Sequence, residues 1–172
     1  GAPGPDDIPP SFLKELGPLA KGVLLGIFNE SFNESFCPQL WRSAIIVPLL
    51  KQGKPPGQVK SFRPVSLTSV VVKLFERMIA ERIYHILENG NQLSNLQCGF
   101  RKGRSCEDAI LKIVQAIENG FQRKQSERSV LVLLDYSSAF DTVWRQKLLL
   151  SLMDLGLPMQ IVRWIAYFLE NR

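Results

Sequence analysis

The sequence predicts an α+β chain that is rich in helix and poor in strand. Two observations carry this. Apolar residues recur at helical spacing through most of the chain, in five separate stretches. Only three short apolar runs have strand character, near residues 43–50, 61–67 and 130–134. The 172 residues suffice for one ordinary domain with a real core, and 45% hydrophobic against 22% charged residues is a globular balance.

Residues 1–10 are rich in Pro, Gly and Asp and read as an extended lead-in. From Pro18 to Phe36, Leu19, Val23, Leu24, Ile27, Phe28 and Phe32 mark a helical face, weakened by Gly22 and Gly26. Ser43 to Leu50 reads as a strand, and Pro48 makes it an edge strand or ends it. The basic loop Lys51–Gly57 leads to a second short strand over Ser61–Leu67, a hairpin-like layout. A long helix spans Ser69 to Glu88, burying Val72, Phe75, Ile79, Ile83 and Ile86, and Asn89-Gly90 stops it. Few periodic apolar residues follow until Ser105. There Asp108, three residues on, supplies a capping box for a helix striped by Ile110, Leu111, Val114, Ile117 and Phe121.

After a polar turn over Gln122–Arg128, the run Val130–Leu134 is expected to be a strand buried on both faces, ending on Asp135. A helix from Arg145 to Leu155 is closed by Gly156. A last helix starts at Pro158 and buries Ile161, Ile165 and Phe168.

The net charge of +5 permits a polyanionic partner without proving one. No stretch has the roughly 20 apolar residues of a membrane span, and the N-terminus carries no signal-peptide pattern. Both ends read as cut, so a segment of a longer protein is expected. Cys37, Cys98 and Cys106 are odd in number and lack zinc spacing, which predicts reduced thiols, no disulfide and an intracellular setting, nuclear or cytoplasmic. The one histidine, His85, falls on the polar or boundary side of its helix, so Ser/His/Asp and Cys/His nucleophile systems are not expected.

Three constellations could carry chemistry. Asp135 at a strand end is either a turn cap or a rigid carboxylate for Mg²⁺. Behind it, the small residues Ser138 and Ala139 would let backbone N–H groups approach phosphates, while Phe140 either packs in a core or lies against a nucleotide sugar. In Gln97–Ser105, two glycines, Phe100 and three cations precede a helix N-terminus, which suits a phosphate-bearing ligand or an ordinary basic surface loop. Pro64 biases Arg63 toward an extended backbone, projecting a guanidinium that can fork onto phosphate or simply be solvated or ion-paired.

Their order is more specific than any one of them. "SFRPVSL", then "KLFERMIAERI", then "QCGFRKGRSCEDAI", then "LVLLDYSSAFDTV" resembles the reverse transcriptases of non-LTR retrotransposons. "GPDDIPPSFLKEL" and "CPQLWRSAIIVPLLKQGK" resemble the segment before the fingers of those enzymes, so the likeness covers essentially the whole chain.

The resemblance implies helix-rich fingers plus an incomplete palm of a right-hand polymerase. An N-terminal extension would cover 1–40, fingers 41–128 and the first part of the palm 129–172. It implies that Asp135 and the carbonyl of Tyr136 are metal ligands, and that Asp135 is catalytic. Ser138 and Ala139 would hold the triphosphate, and Phe140 would exclude a 2′-hydroxyl. Arg63, assisted by Lys51 or Lys54, would contact the triphosphate. Gln97, Gly99, Phe100 and Arg101 would lie along the template. The implied partners are an RNA template, a DNA primer and a dNTP, with two Mg²⁺ ions as cofactor. The family's aromatic-x-Asp-Asp turn does not follow Asp135, and Asp6-Asp7 is a poor substitute. The isolated segment is therefore expected to be inactive. A non-catalytic remnant of a retroelement and a plain RNA/DNA-binding module are the alternatives.

Overall fold

The computed structural model describes residues 2–123 and 128–170. The elements are α1 (Pro10–Lys14), α2 (Pro18–Asn33), α3 (Gln39–Arg42), β1 (Ala44–Leu50), β2 (Phe62–Thr68), α4 (Val70–Asn89), α5 (Cys106–Phe121), α6 (Arg145–Asp154) and α7 (Met159–Leu169). They form two compact units, one of residues up to 86 with those from 144 on, the other of residues 87–143.

The first unit is built on an aromatic cluster. Phe28 of α2 stacks on Phe75 of α4 with ring centroids 4.6 Å apart, and Trp164 of α7 meets Phe75 edge-on at 4.9 Å. Trp164 in turn stacks on Phe168. Val72, Ile79, Ile161 and Val162 are buried around them, so the stripes expected on α4 and α7 face the core through Val72, Phe75, Ile79, Ile161 and Phe168, while Ile83, Ile86 and Ile165 are only half-buried. Polar groups are paired where α2 meets α7. The indole Nε1 of Trp164 donates to Ser31 Oγ at 3.3 Å, and Gln160 Nε2 donates to the carbonyls of Phe32 and Asn33 at the end of α2. The Gln160 bonds add a side-chain donor at the end of a helix, where the intrahelical ladder runs out of N–H groups.

β1 and β2 pair antiparallel, with Ala44 opposite Thr68 and Leu50 opposite Phe62. Pro48 faces Pro64 in this register. The bond from Lys51 N to Ser61 O (2.8 Å) fixes the phase of the ladder, so the two prolines form a non-hydrogen-bonded pair and neither missing N–H interrupts it.

The lead-in docks at the corner between β2 and α4 through Gly4 and Asp6. Gly4 is buried against the β2–α4 corner, and the Asp6 carboxylate accepts from Ser69 Oγ. Ser69 Oγ also accepts from Val72 N at 3.4 Å, so it caps α4.

α4 ends one residue later than Asn89-Gly90 implies. Asn91 takes the left-handed conformation (φ 48°), and Gln92 N donates to Leu87 O at 3.0 Å, a Schellman closure. Gly156 (φ 73°) closes α6 in the same way.

Three expectations fail. The face marked on α2 is only partly buried: Phe28 is in the core, but Leu19 is 85% exposed and Val23 and Ile27 are also exposed. In the second unit, Ile110, Leu111, Val114 and Phe121 of α5 are exposed although their spacing is helical. Periodicity records an apolar face and does not supply its partner. The third is the buried strand at Val130–Leu134. Those residues form no strand and are 57–85% exposed. A strand exists only as part of a ladder, and among the described residues none pairs with this run. The turn expected over 122–128 lies largely outside the described residues. No helix among the described residues is long and apolar enough to cross a membrane.

Candidate nucleotide and nucleic-acid site

The residues singled out by sequence divide between the two units. Lys51, Lys54 and Arg63 belong to the first. Arg63 stands on β2 opposite Leu49 and is exposed, an extended cation on a two-stranded ribbon. Lys51 turns back across the loop, and its Nζ donates to the Lys60 carbonyl at 2.7 Å. Lys54 is exposed in the turn made by Gly53 (φ 73°). The hairpin thus offers Lys54, Lys60 and Arg63 as exposed cations, with Lys51 bracing its base.

The second unit carries the remaining candidates. Gln97, Gly99, Phe100 and Arg101 lie in the loop between α4 and α5. Arg101 is fastened inside it, with a side chain only 8% exposed. Its Nε and Nη2 meet the two carboxylate oxygens of Glu88 at 2.9 and 2.6 Å, and its Nη1 donates to the carbonyls of Ser94 (2.7 Å) and Gln97 (3.4 Å). This is a bidentate fork, the geometry in which arginine binds carboxylate most strongly. The hydrogen bond from Arg101 holds the Glu88 carboxyl below its ordinary value of 4.5, and the same bond raises the Arg101 guanidinium.

Phe100 precedes Arg101 with φ 59°, unusual for a residue with a Cβ, and its ring is 87% exposed. Gln97 Nε2 donates to the Gly99 carbonyl at 3.1 Å. Lys112 of α5 reaches Asn95 O at 2.6 Å and Cys98 Sγ at 3.7 Å, tying the loop to the helix.

The capping box forms as the sequence implies. Asp108 N donates to Ser105 Oγ at 3.2 Å, and Ser105 N donates to Asp108 Oδ2 at 2.6 Å. The bond from the Ser105 backbone lowers the Asp108 pKa below its ordinary value of 3.8, with the Ser105 hydroxyl adding to it.

Asp135, Tyr136 and Phe140 are exposed on the segment after residue 128. Ser138 takes φ 53°, and its carbonyl accepts from Asp141 N (3.0 Å) and Thr142 N (3.1 Å), making a tight turn at the end of the motif. Thr142 Oγ1 also donates to this carbonyl at 3.1 Å. No group of three or more His, Cys, Asp or Glu side chains converges as a metal site among the described residues. Asp135 alone does not fit the demands of two divalent ions, each of which needs several oxygen ligands.

Sequence reasoning missed Glu88 and Ser94, the partners of Arg101. The only available signal was a carboxylate near the end of α4 and an arginine 13 residues on, too common a pairing to single out.

Comparison with known proteins defines the class. Residues 50–172 match the family described as reverse transcriptase (RNA-dependent DNA polymerase). Nearly the whole chain, 99%, aligns at 33% identity with a probable RNA-directed DNA polymerase from transposon BS of Drosophila melanogaster. It aligns equally fully at 33% with that from transposon X-element of the same species, and at 32% with the RNA-directed DNA polymerase from its mobile element jockey. The chain belongs to the reverse transcriptase family, in its non-LTR retrotransposon branch. It spans 18% of the length of these relatives.

Proposed function

We propose that this chain is the fingers and the first part of the palm of an RNA-directed DNA polymerase, with 1–40 preceding the fingers, 41–128 forming them and 129–172 opening the palm. Its parent extends the 3′-hydroxyl of a DNA primer with dNTPs on an RNA template, in the nucleus or cytoplasm. The carrying observation is that the family match runs continuously through the arginine hairpin, the 97–105 loop and the Asp135 motif, in that order.

In this reading Arg63 and Lys54 neutralise triphosphate charge, with Lys51 holding the base of their loop. The small side chains of Ser138 and Ala139 leave backbone N–H groups open to phosphate, and Phe140 excludes a 2′-hydroxyl. Gln97, Gly99, Phe100 and Arg101 form the template-side segment, where an exposed aromatic ring can stack on a base. Asp135 and the Tyr136 carbonyl supply part of the ligand set for Mg²⁺, which in two-metal chemistry stabilises the attacking and leaving oxygens. Further carboxylates have to come from an aromatic-x-Asp-Asp turn, so the 172 residues alone are inactive.

The test is RNA-templated primer extension with Mg²⁺, by this chain alone and by the protein lengthened through such a turn. Product from the lengthened protein only is expected. Absence of product from both, with template binding retained, points instead to a binding module or a retroelement remnant.

A further inference from the structure

We infer that Arg101 is a positioning residue, and that Glu88 is its essential partner in presenting Phe100 to the template strand. The inference rests on the reading of 97–101 as the template-side segment.

Four of the five guanidinium N–H groups of Arg101 point at protein acceptors: two at the Glu88 carboxylate, one at the Ser94 carbonyl and one, more weakly, at the Gln97 carbonyl. A guanidinium has five donors in a fixed fork, so little remains for a phosphate. The acceptors span the loop. Glu88 is in the last turn of α4, Ser94 and Gln97 are midway, and Arg101 is near the far end. The clasp draws residues 88–101 into a closed loop, and the residue next to its knot is Phe100, with a positive φ and an outward ring. Such a backbone persists only when its surroundings hold it. The Schellman closure at Asn91 orients the same end of α4. Losing the clasp frees Phe100 to take an ordinary φ and withdraw its ring.

A direct Arg101–phosphate contact and a positioning role predict opposite results for Glu88. If Arg101 binds phosphate, Glu88→Gln removes a nearby negative charge, and affinity for an RNA template annealed to a DNA primer stays equal or rises. If Arg101 positions, Glu88→Gln weakens binding several-fold, as does Arg101→Gln, and the double variant is no worse than either single one, because one loss already opens the loop.

The salt dependence separates the two roles again. Loss of a phosphate contact lowers the log–log salt slope by about 0.7–0.9, whereas the positioning role leaves it unchanged. Glu88→Asp keeps the charge and shortens the reach. It is expected to weaken binding, which a purely electrostatic role forbids. Hydrogen exchange over 94–104 in the protein without nucleic acid is expected to rise in each variant, with the melt of the whole chain still cooperative.

Unchanged exchange in Glu88→Gln, or unchanged or tighter binding by it, overturns the inference while leaving the template reading intact. No binding of the template–primer by the unmodified chain overturns the template reading and the inference with it.

Discussion

Gly4 lies so close to Ser69 that a Cβ on it would collide with the Ser69 nitrogen and the carbonyl carbon of Thr68. The contact joins residues 65 apart in sequence and brings the lead-in onto the corner where β2 becomes α4. The obstructing atoms are backbone, which cannot swing aside as a flexible side chain can.

Gly4→Ala is therefore expected to destabilise the first unit by about 1–3 kcal/mol, the usual cost of overpacking a well-filled site. Thermal melting of the 172-residue chain measures it. An unchanged midpoint would mean that the lead-in does not dock at this corner.

Phe75 is the centre of the aromatic cluster, in ring contact with Phe28, Trp41 and Trp164. Truncation to Ala removes buried area and leaves a cavity between three rings. The expected loss is about 3–5 kcal/mol, read by denaturant titration. Phe140→Ala, on an exposed ring, is expected to change stability by less than about 0.5 kcal/mol.

Acid is expected to weaken the second unit through Glu88 and Asp108. Both carboxyls have pKa values lowered by folding, the first chiefly by the bond from Arg101 and the second by the bond from the Ser105 backbone. A lowered native pKa contributes stability that is complete above the unfolded value and is lost as pH falls through the native one. Stability should thus be level from neutrality to near the ordinary values of 4.5 and 3.8, then decline. Glu88→Gln should flatten part of that decline in a pH series of melts.

The exposed run Val130–Leu134 is a β-prone apolar segment with no strand beside it among the described residues. Such segments pair with other chains. Val132→Lys is expected to reduce self-association, seen as a smaller apparent mass at high concentration in sedimentation. No change on substitution would place the association surface elsewhere.

Much of the fold is legible where local chemistry decides it. The hairpin follows from two apolar runs about a basic Gly/Pro loop, the start of α5 from Ser105 and Asp108, and the buried face of α7 from Ile161 and Phe168. What could not be read depends on partners distant in sequence. The exposed stripe of α5 and the missing strand at 130–134 have the right pattern but no described element to pack against. The family was legible in an ordered set of motifs, and the family match over residues 50–172 agrees with it. The clasp on Arg101 was not, because nothing in the spacing of Glu88 and Arg101 separates a structural fork from a phosphate-binding one. α1 and α3 are too short to leave a period.

The most direct measurement is Mg²⁺-dependent primer extension on an RNA template by the lengthened protein, with and without Asp135→Ala. Product is expected from the unsubstituted protein and essentially none from the variant, with template affinity unchanged. Extension at an undiminished rate by Asp135→Ala would contradict the assignment of Asp135 as the catalytic carboxylate.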